Sequence, residues 1–123
     1  MPSAESFLEA FRRQSAAAAR ELLESELALH LRAAGIEFER QVIFHPSRKW
    51  RFDFAIGMQS SRPLAVEVQG GIWTGGRHSR GKGITDECEK FAHAVIAGWR
   101  VMPVTGEQVK SGKALQWIQQ AIE

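Results

Sequence analysis

Residues 50–70 read WRFDFAIGMQSSRPLAVEVQG, and this stretch decides the fold. Large apolar residues alternate along 52–56 and again along 64–68, which predicts two β-strands. The residues between them, 57–63, have the glycine, serines and proline of a loop, so the two strands should form an antiparallel hairpin. Three polar residues lie inside these apolar strands, at the opposite parity to the large side chains: Asp53, Glu67 and Gln69.

The register of this hairpin determines what the two acids do. If Ile56 pairs with Leu64, Asp53 faces Glu67 with side-chain roots roughly 5 Å apart. Two like charges repel at that distance, and a shared proton, a neighbouring Lys or Arg, or a bound divalent cation would remove the repulsion. We favour the cation. The alternative is an ordinary hairpin with solvated acids, and a register slip of one residue would place the acids on opposite faces.

Length and composition predict one globular domain spanning residues 1–123, with 44% hydrophobic and 24% charged residues. The net charge of +2 gives no indication of a nucleic-acid-binding protein. The single cysteine, Cys88, excludes an intramolecular disulfide and a multi-cysteine zinc module. No secretory signal is visible, and no run approaches the roughly 18 apolar residues of a membrane span. The expectation is a cytoplasmic protein without a membrane partner.

Hydrophobic periodicity predicts an α/β protein with a mixed four-stranded sheet flanked by helices. The expected order is helix, three strands, helix, strand, helix. Asp86 should cap the middle helix and Gly98 should end it. Pro103 suggests that the last strand lies at an edge. The predicted segments are a helix over 4–34 stopped by Gly35, strands over 37–44, 50–56, 64–70 and 99–104, and a C-terminal helix over 113–123.

The first helix carries an acid of interest beside its apolar stripe. The stripe is predicted to consist of Leu22, Leu23, Leu27 and Leu31. Glu26 and His30 fall on the same side, which makes Glu26 a candidate site acid or a charge at the margin of an amphipathic stripe. Glu21 and Glu24 are predicted to be solvated.

A glycine-rich stretch follows the second acid strand, with six glycines between residues 70 and 83. Such a loop is typical of a phosphate-backbone clamp, because glycines allow close approach and cations neutralise phosphates. A solvated basic loop is the alternative. Trp73 is predicted either to stack on bases or to pack against the core. The predicted nucleic-acid-binding residues are Trp73, Arg77, His78, Arg80 and Lys82.

In the order of its elements and in five short motifs, the chain resembles the PD-(D/E)XK nuclease superfamily. The resemblance is closest to very-short-patch-repair-type endonucleases and related small phage or bacterial nucleases. It covers roughly residues 25–105 and implies a restriction-endonuclease-like αβββαβ(α) core. The motifs are Ser25-Glu26, Arg40-Gln41, Phe52-Asp53-Phe54, Val66-Glu67-Val68-Gln69-Gly70 and Gly98-Trp99-Arg100-Val101.

The resemblance implies a metal site for phosphodiester hydrolysis. Asp53, Glu67 and the main-chain carbonyl of Val68 would bind Mg²⁺ or Mn²⁺, with Glu26 assisting. A carboxylate-held ion supplies both a nucleophile made from water and a counter-charge for the transition state. Gln69 would align water, but it stands where many members have a lysine, and an amide adds no positive charge.

Two residues are candidates to replace the function of that lysine. Lys90 lies one turn into the middle helix, where it either faces the sheet or forms a solvated pair with Asp86. His78 either transfers a proton to the leaving 3′ oxygen, as histidines after the Glu motif do in the relatives, or contacts a phosphate. The predicted catalytic residues are therefore Glu26, Asp53, Glu67, Gln69, Lys90 and His78.

The expected function is that of a Mg²⁺-dependent deoxyribonuclease, a DNA endonuclease of repair or recombination. A structure-specific, Holliday-junction-type resolvase acting as a homodimer is one alternative. A catalytically inactive DNA-binding module of the same fold is another, for which Gln69 is the main argument. A protein-interaction domain would leave the basic loop unexplained.

Overall fold

The computed structural model describes residues 3–69 and 83–123. It confirms the coarse fold class, an α/β protein with a mixed four-stranded sheet flanked by helices. The predicted order is also confirmed, with one more short helix after the last strand. The elements are α1 (Ala4–Ala33), β1 (Glu39–Ile43), β2 (Arg51–Ile56), β3 (Leu64–Gln69), α2 (Ile84–Ile96), β4 (Arg100–Thr105), α3 (Gly106–Lys110) and α4 (Lys113–Ala121).

The sheet runs in chain order, β1-β2-β3-β4. β1 and β3 are both antiparallel to β2, and β3 is parallel to β4, with α2 in the crossover between them. The predicted hairpin register is confirmed, because Ile56 pairs with Leu64 and Phe54 pairs with Val66. Pro103 lies on an edge strand, as expected of a residue that cannot donate a ladder hydrogen bond.

Helices cover both faces of the sheet. On one face, α1, α3 and α4 pack with β3 and its neighbours around a buried cluster that includes Leu27, Val66 and Ile118. On the other face, Ala94 of α2 packs against Phe52 and Ala65. None of the helices in residues 3–69 and 83–123 is both long and apolar enough to cross a membrane.

The phase of α1 differs from the prediction. The helix ends before Gly35, as predicted, and Gly35 has φ +72°, a conformation that favours glycine. However, Leu22 points to solvent, whereas Leu27 and Leu31 are fully buried. Glu24 is also buried, so the predicted solvation of this residue is wrong. The inward face is thus rotated away from Leu22.

The start of α2 also differs. The helix begins at Ile84, with Gly83 in the cap position and no side-chain capping bond, so the predicted cap at Asp86 is wrong. Asp86 lies in the first turn, where a negative charge complements the helix dipole.

The pleat of β2 is interrupted at Asp53. Phe52 belongs to the core under α2, whereas Phe54 belongs to the core under α1, although alternation predicts one face for both. In the pairing with β1, Val42 pairs with Phe52 and Arg40 pairs with Phe54, but the intermediate pair is missing. Gln41 has φ +54° at this point. The local distortion changes the face on which the strand continues.

Candidate active site

Asp53 and Glu67 meet where the ladder between β2 and β3 ends. Beyond the pair Phe54 and Val66, the carboxylates of Asp53 and Glu67, instead of backbone carbonyls, accept hydrogen bonds from the backbone N–H groups of the facing strand. The Asp53 backbone N–H donates to Glu67 Oε2 at 2.9 Å, and the Val68 backbone N–H donates to Asp53 Oδ2 at 2.8 Å. The two acids are therefore linked by reciprocal bonds between side chain and backbone.

A third carboxylate, Glu24 of α1, joins this pair. Glu24, Asp53 and Glu67 are 4%, 5% and 2% exposed and are the buried polar or charged residues of the described chain. Burial raises the pKa of Glu24, and the nearby charge of Asp53 raises it further, while Arg40 and Arg20 oppose the shift. Three acids close to one another form an unusual cluster in a protein interior.

Two neighbouring residues of β1, Arg40 and Gln41, hold the Glu24 carboxylate in place. Gln41 Nε2 donates to Glu24 Oε1 at 3.0 Å, and Arg40 Nη2 donates to the same oxygen at 3.3 Å. Arg40 also reaches Glu21 at 3.3 Å. The side chains of Arg40 and Gln41, although adjacent in the strand, thus both contact Glu24. The backbone of Gln41 has left-handed φ at this point.

Cations surround the three acids. Arg20 Nη2 lies 3.5 Å from Asp53 Oδ2, and Arg20 Nε lies 3.7 Å from Glu24 Oε2. With Arg40 at Glu24 and Lys90 at Glu67, three cations contact three carboxylates in the described part of the chain. Opposite charges at this range offset much of the repulsion between the acids.

Lys90 faces the sheet and does not pair with Asp86. Its Nζ contacts Glu67 Oε1, and its side chain is largely buried near the rings of Phe52 and Phe91. Burial and the charge of Asp53 raise the pKa of Glu67 to about 7, although Lys90 lowers it. The Glu67 carboxyl therefore changes charge near neutral pH.

Gln69 and Glu26 have different surroundings. Gln69 Nε2 donates to Glu87 Oε1 of α2 at 3.3 Å, so its amide is near the cluster but is hydrogen-bonded to another acid. Glu26 lies 3.8 Å from His30 on α1 and is not part of the cluster. The acid of α1 that lies close to Asp53 is therefore Glu24, whereas Glu26 is paired with His30.

The structure also leaves some predictions without a test. The five predicted nucleic-acid-binding residues, which include the catalytic candidate His78, lie outside the described residues. They are Trp73, Arg77, His78, Arg80 and Lys82.

Sequence reasoning missed Glu24, Arg20 and Glu87. A signal for Glu24 exists, because it precedes the buried Leu27 by three residues and the buried Leu31 by seven. That spacing places all three on one helix face. Arg20, four residues before Glu24, continues the same row. The position of Glu87 depends on the packing of α2 against β3, which the sequence does not specify.

The donor set suits a hard divalent cation. Asp53 and Glu67 offer carboxylate oxygens, and Mg²⁺ is often bound through only one or two carboxylates, with water completing its shell. Glu67 Oε1 would have to exchange the Lys90 ammonium for the ion. Within residues 3–69 and 83–123, no group of three or more His, Cys, Asp or Glu side chains is arranged as a metal cage.

Comparison with known proteins gives no further assignment. No family model, curated protein or solved structure matches this chain.

The raised pKa of Glu67 predicts a pH-dependent contribution to stability. Its folded pKa of about 7 exceeds the ordinary 4.5, so the folded state holds the proton more tightly. The resulting stabilisation is complete below about pH 4.5 and is lost as the pH rises through 7. Glu67→Gln stays neutral at every pH and does not share this loss. Between pH 4 and pH 8, the free energy of unfolding of the wild type should therefore fall by roughly 3 kcal/mol relative to that of Glu67→Gln.

Urea denaturation across this pH range, with EDTA present, measures the difference. Glu37→Gln, an exposed substitution, is the matched control and should follow the wild type at every pH. A constant difference between Glu67→Gln and the wild type would contradict the raised pKa.

Proposed function

We propose that this chain is a divalent-metal-dependent DNA endonuclease with a PD-(D/E)XK core. The observation that carries the proposal is the joining of Asp53 and Glu67, two nearly buried acids, where β2 and β3 separate. Desolvation and mutual repulsion both make such a pair costly for stability. Clusters of this kind are concentrated at functional sites, where the cost serves the chemistry.

The surroundings of the pair support the same chemistry. Lys90 supplies, from α2, the positive charge that position 69 lacks. In this proposal Lys90 faces the phosphate once it is released from Glu67, and its charge stabilises developing negative charge. Gln69 positions water through its amide, which accepts and donates hydrogen bonds.

The helix acid of the proposal is Glu24 instead of Glu26. Arg40 and Gln41, which form one of the motifs of the resemblance, both bind Glu24. They thereby hold its carboxylate beside Asp53, where it increases the negative charge of the site. A cluster richer in negative charge attracts a divalent cation more strongly.

Asp53, Glu67 and the Val68 carbonyl would hold the ion. When bound, it supplies a more acidic water and a counter-charge for the phosphate. The chain's own residues orient that water, exclude competing solvent and fix the ligands against the backbone through the two reciprocal bonds.

A second candidate function is an inactive DNA-binding module of the same fold. Lys90 is paired with Glu67, and Gln69 is bonded to Glu87. Both groups that would serve water or phosphate thus have protein partners, which favours a site that has kept its structure and lost its reaction. A junction resolvase, the third candidate, requires two copies of the chain.

The test is incubation of the purified protein with supercoiled plasmid, single strands, forks and four-way junctions, in Mg²⁺, Mn²⁺ or EDTA. The proposal expects metal-dependent cutting of duplex DNA and no cutting in EDTA. Binding without cutting in every metal would favour the inactive module, and cutting confined to junctions would favour the resolvase. Cutting that persists in EDTA would contradict a carboxylate-held metal.

A further inference from the structure

A second apolar stripe runs along the outward side of α1. Its members are spaced alternately four and three residues apart over the whole helix: Ala4, Leu8, Phe11, Ser15, Ala18, Leu22, Ser25 and Leu29. The large members are exposed by 49% to 72%. We call these eight positions the outer seam. The buried face of the helix, which includes Leu27 and Leu31, lies on the opposite side.

Within residues 3–69 and 83–123, no element covers the first half of α1. Between Ser3 and Ala19, every residue except Ala10 is exposed. The helix has 30 residues and is about 45 Å long, so this half extends well beyond the core. Isolated helices of about 15 residues are only marginally stable in water, and tertiary packing normally provides their stability. A further element packed on this half would supply the missing stabilisation.

Spacing of four and three residues is the pattern of a coiled-coil seam, which pairs with another helix of the same spacing. Two copies of the outer seam fit each other when the helices run in opposite directions. When two copies run antiparallel about a point between residues 16 and 17, a small side chain faces Leu8 and Leu29. The facing positions are Ala4 with Leu29, Leu8 with Ser25, Phe11 with Leu22, and Ser15 with Ala18.

A parallel pair would be less complementary. It would place Phe11 against Phe11 and Leu22 against Leu22, while Ser15 and Ser25 would face their own copies and leave poorly filled layers. In the antiparallel arrangement, the exposed first half of each α1 also packs on the second half of the other α1. That second half is packed against the core of its own copy, so both exposed halves are supported by a folded domain.

We propose that two copies of this chain form an antiparallel, two-fold symmetric dimer through the outer seam. The contact would cover four large apolar side chains from each copy together with the small residues opposite them. The total is on the order of 1,000 Å², about the minimum expected of a biological interface and typical of weak association. Each pair of facing positions occurs twice in the dimer, as a two-fold axis requires. Self-association of α1 is independent of what the carboxylate cluster does.

Sedimentation equilibrium over a dilution series tests the association. The wild type should pass from 13.7 kDa to about twice that mass as concentration rises. Phe11→Asp places a charge in the seam and should weaken association by roughly 100-fold. The matched control, Ala16→Asp, adds the same charge on the same helix outside the seam and should leave association unchanged. A monomer at every concentration, larger assemblies, or equal effects of the two variants would overturn the proposal.

Spin labels test the orientation. Ser6→Cys, combined with Cys88→Ser to remove the exposed native thiol, places one label on each copy near the helix start. The antiparallel dimer separates the two labels by 21 residues along the axis, or about 30 Å. A short distance, below about 15 Å, would indicate a parallel pair and overturn the antiparallel arrangement.

Discussion

Replacing Asp53 with asparagine should reduce metal-dependent DNA cleavage by roughly 10³-fold while leaving the fold intact. The amide oxygen of asparagine can still accept the backbone N–H of Val68, which now binds Asp53 Oδ2 at 2.8 Å. What the variant loses is one negative charge and one ligand for the ion. A rate measurement on supercoiled plasmid at saturating Mg²⁺ gives the loss directly.

Stability provides an independent measurement on the same variant. The charge of Asp53 is, after burial, the main cause of the raised pKa of Glu67. Asp53→Asn should therefore lower the pKa of Glu67 and increase the free energy of unfolding at pH 8. Asp86→Asn, which removes an exposed acid of α2, is the matched control and should cleave like the wild type. Cleavage by Asp53→Asn at the wild-type rate would contradict the proposed metal ligand.

Replacing Lys90 with methionine should lower the free energy of unfolding by about 1–2 kcal/mol at pH 8. Methionine preserves the apolar stem that lies near Phe52 and Phe91, so packing changes little. The loss arises because Glu67 without its cation must take up a proton to stay buried, and at pH 8, about one unit above its pKa of about 7, that uptake costs roughly 1.4 kcal/mol. At pH 5 the cost should be smaller, since Glu67, with a pKa of about 7, is then protonated.

A second substitution separates charge from packing. Lys90→Met combined with Glu67→Gln leaves no unpaired buried carboxylate at this position and should recover most of the lost stability. Lys49→Met removes an exposed lysine and serves as the matched control. Denaturation of the four proteins at pH 5 and pH 8 gives the comparison. Equal destabilisation by Lys90→Met at both pH values would indicate lost packing and contradict the charge pair.

The sheet was more accessible to sequence reasoning than the helices that cover it. Alternation and the turn residues predicted the hairpin register, because a slip of one residue would expose Phe54 and Val66. The same alternation placed Phe52 on the wrong face. The reversal there depends on the backbone of Gln41 in the neighbouring strand, which no pattern in residues 50–70 records. The short helix α3 has a sequence signature of its own, because Thr105 and Gln108 form the Thr-x-x-Gln pattern of a capping box.

The sequence predicted the strand acids of the site and the lysine of α2 but not the acid of α1. Asp53, Glu67 and Lys90 followed from strand parity and helix position, and the structure brings them together. Glu24 was missed because α1 is apolar on two sides. Leu22 belongs to the outer seam and Leu27 to the core, and treating them as one stripe rotates the helix enough to select Glu26. A single sequence does not reveal which of two apolar faces meets the sheet.

The bonds between backbone and carboxylate at the end of the β2–β3 ladder make two amide protons into spectroscopic probes of the site. The protons on the Asp53 and Val68 nitrogens point at carboxylate oxygens, whereas their neighbours in the ladder point at carbonyls. Their chemical shifts in a nitrogen-proton correlation spectrum will respond to protonation of Glu67 and to any ion that draws charge from either acid. The protein thus reports the state of its own carboxylates without an added label.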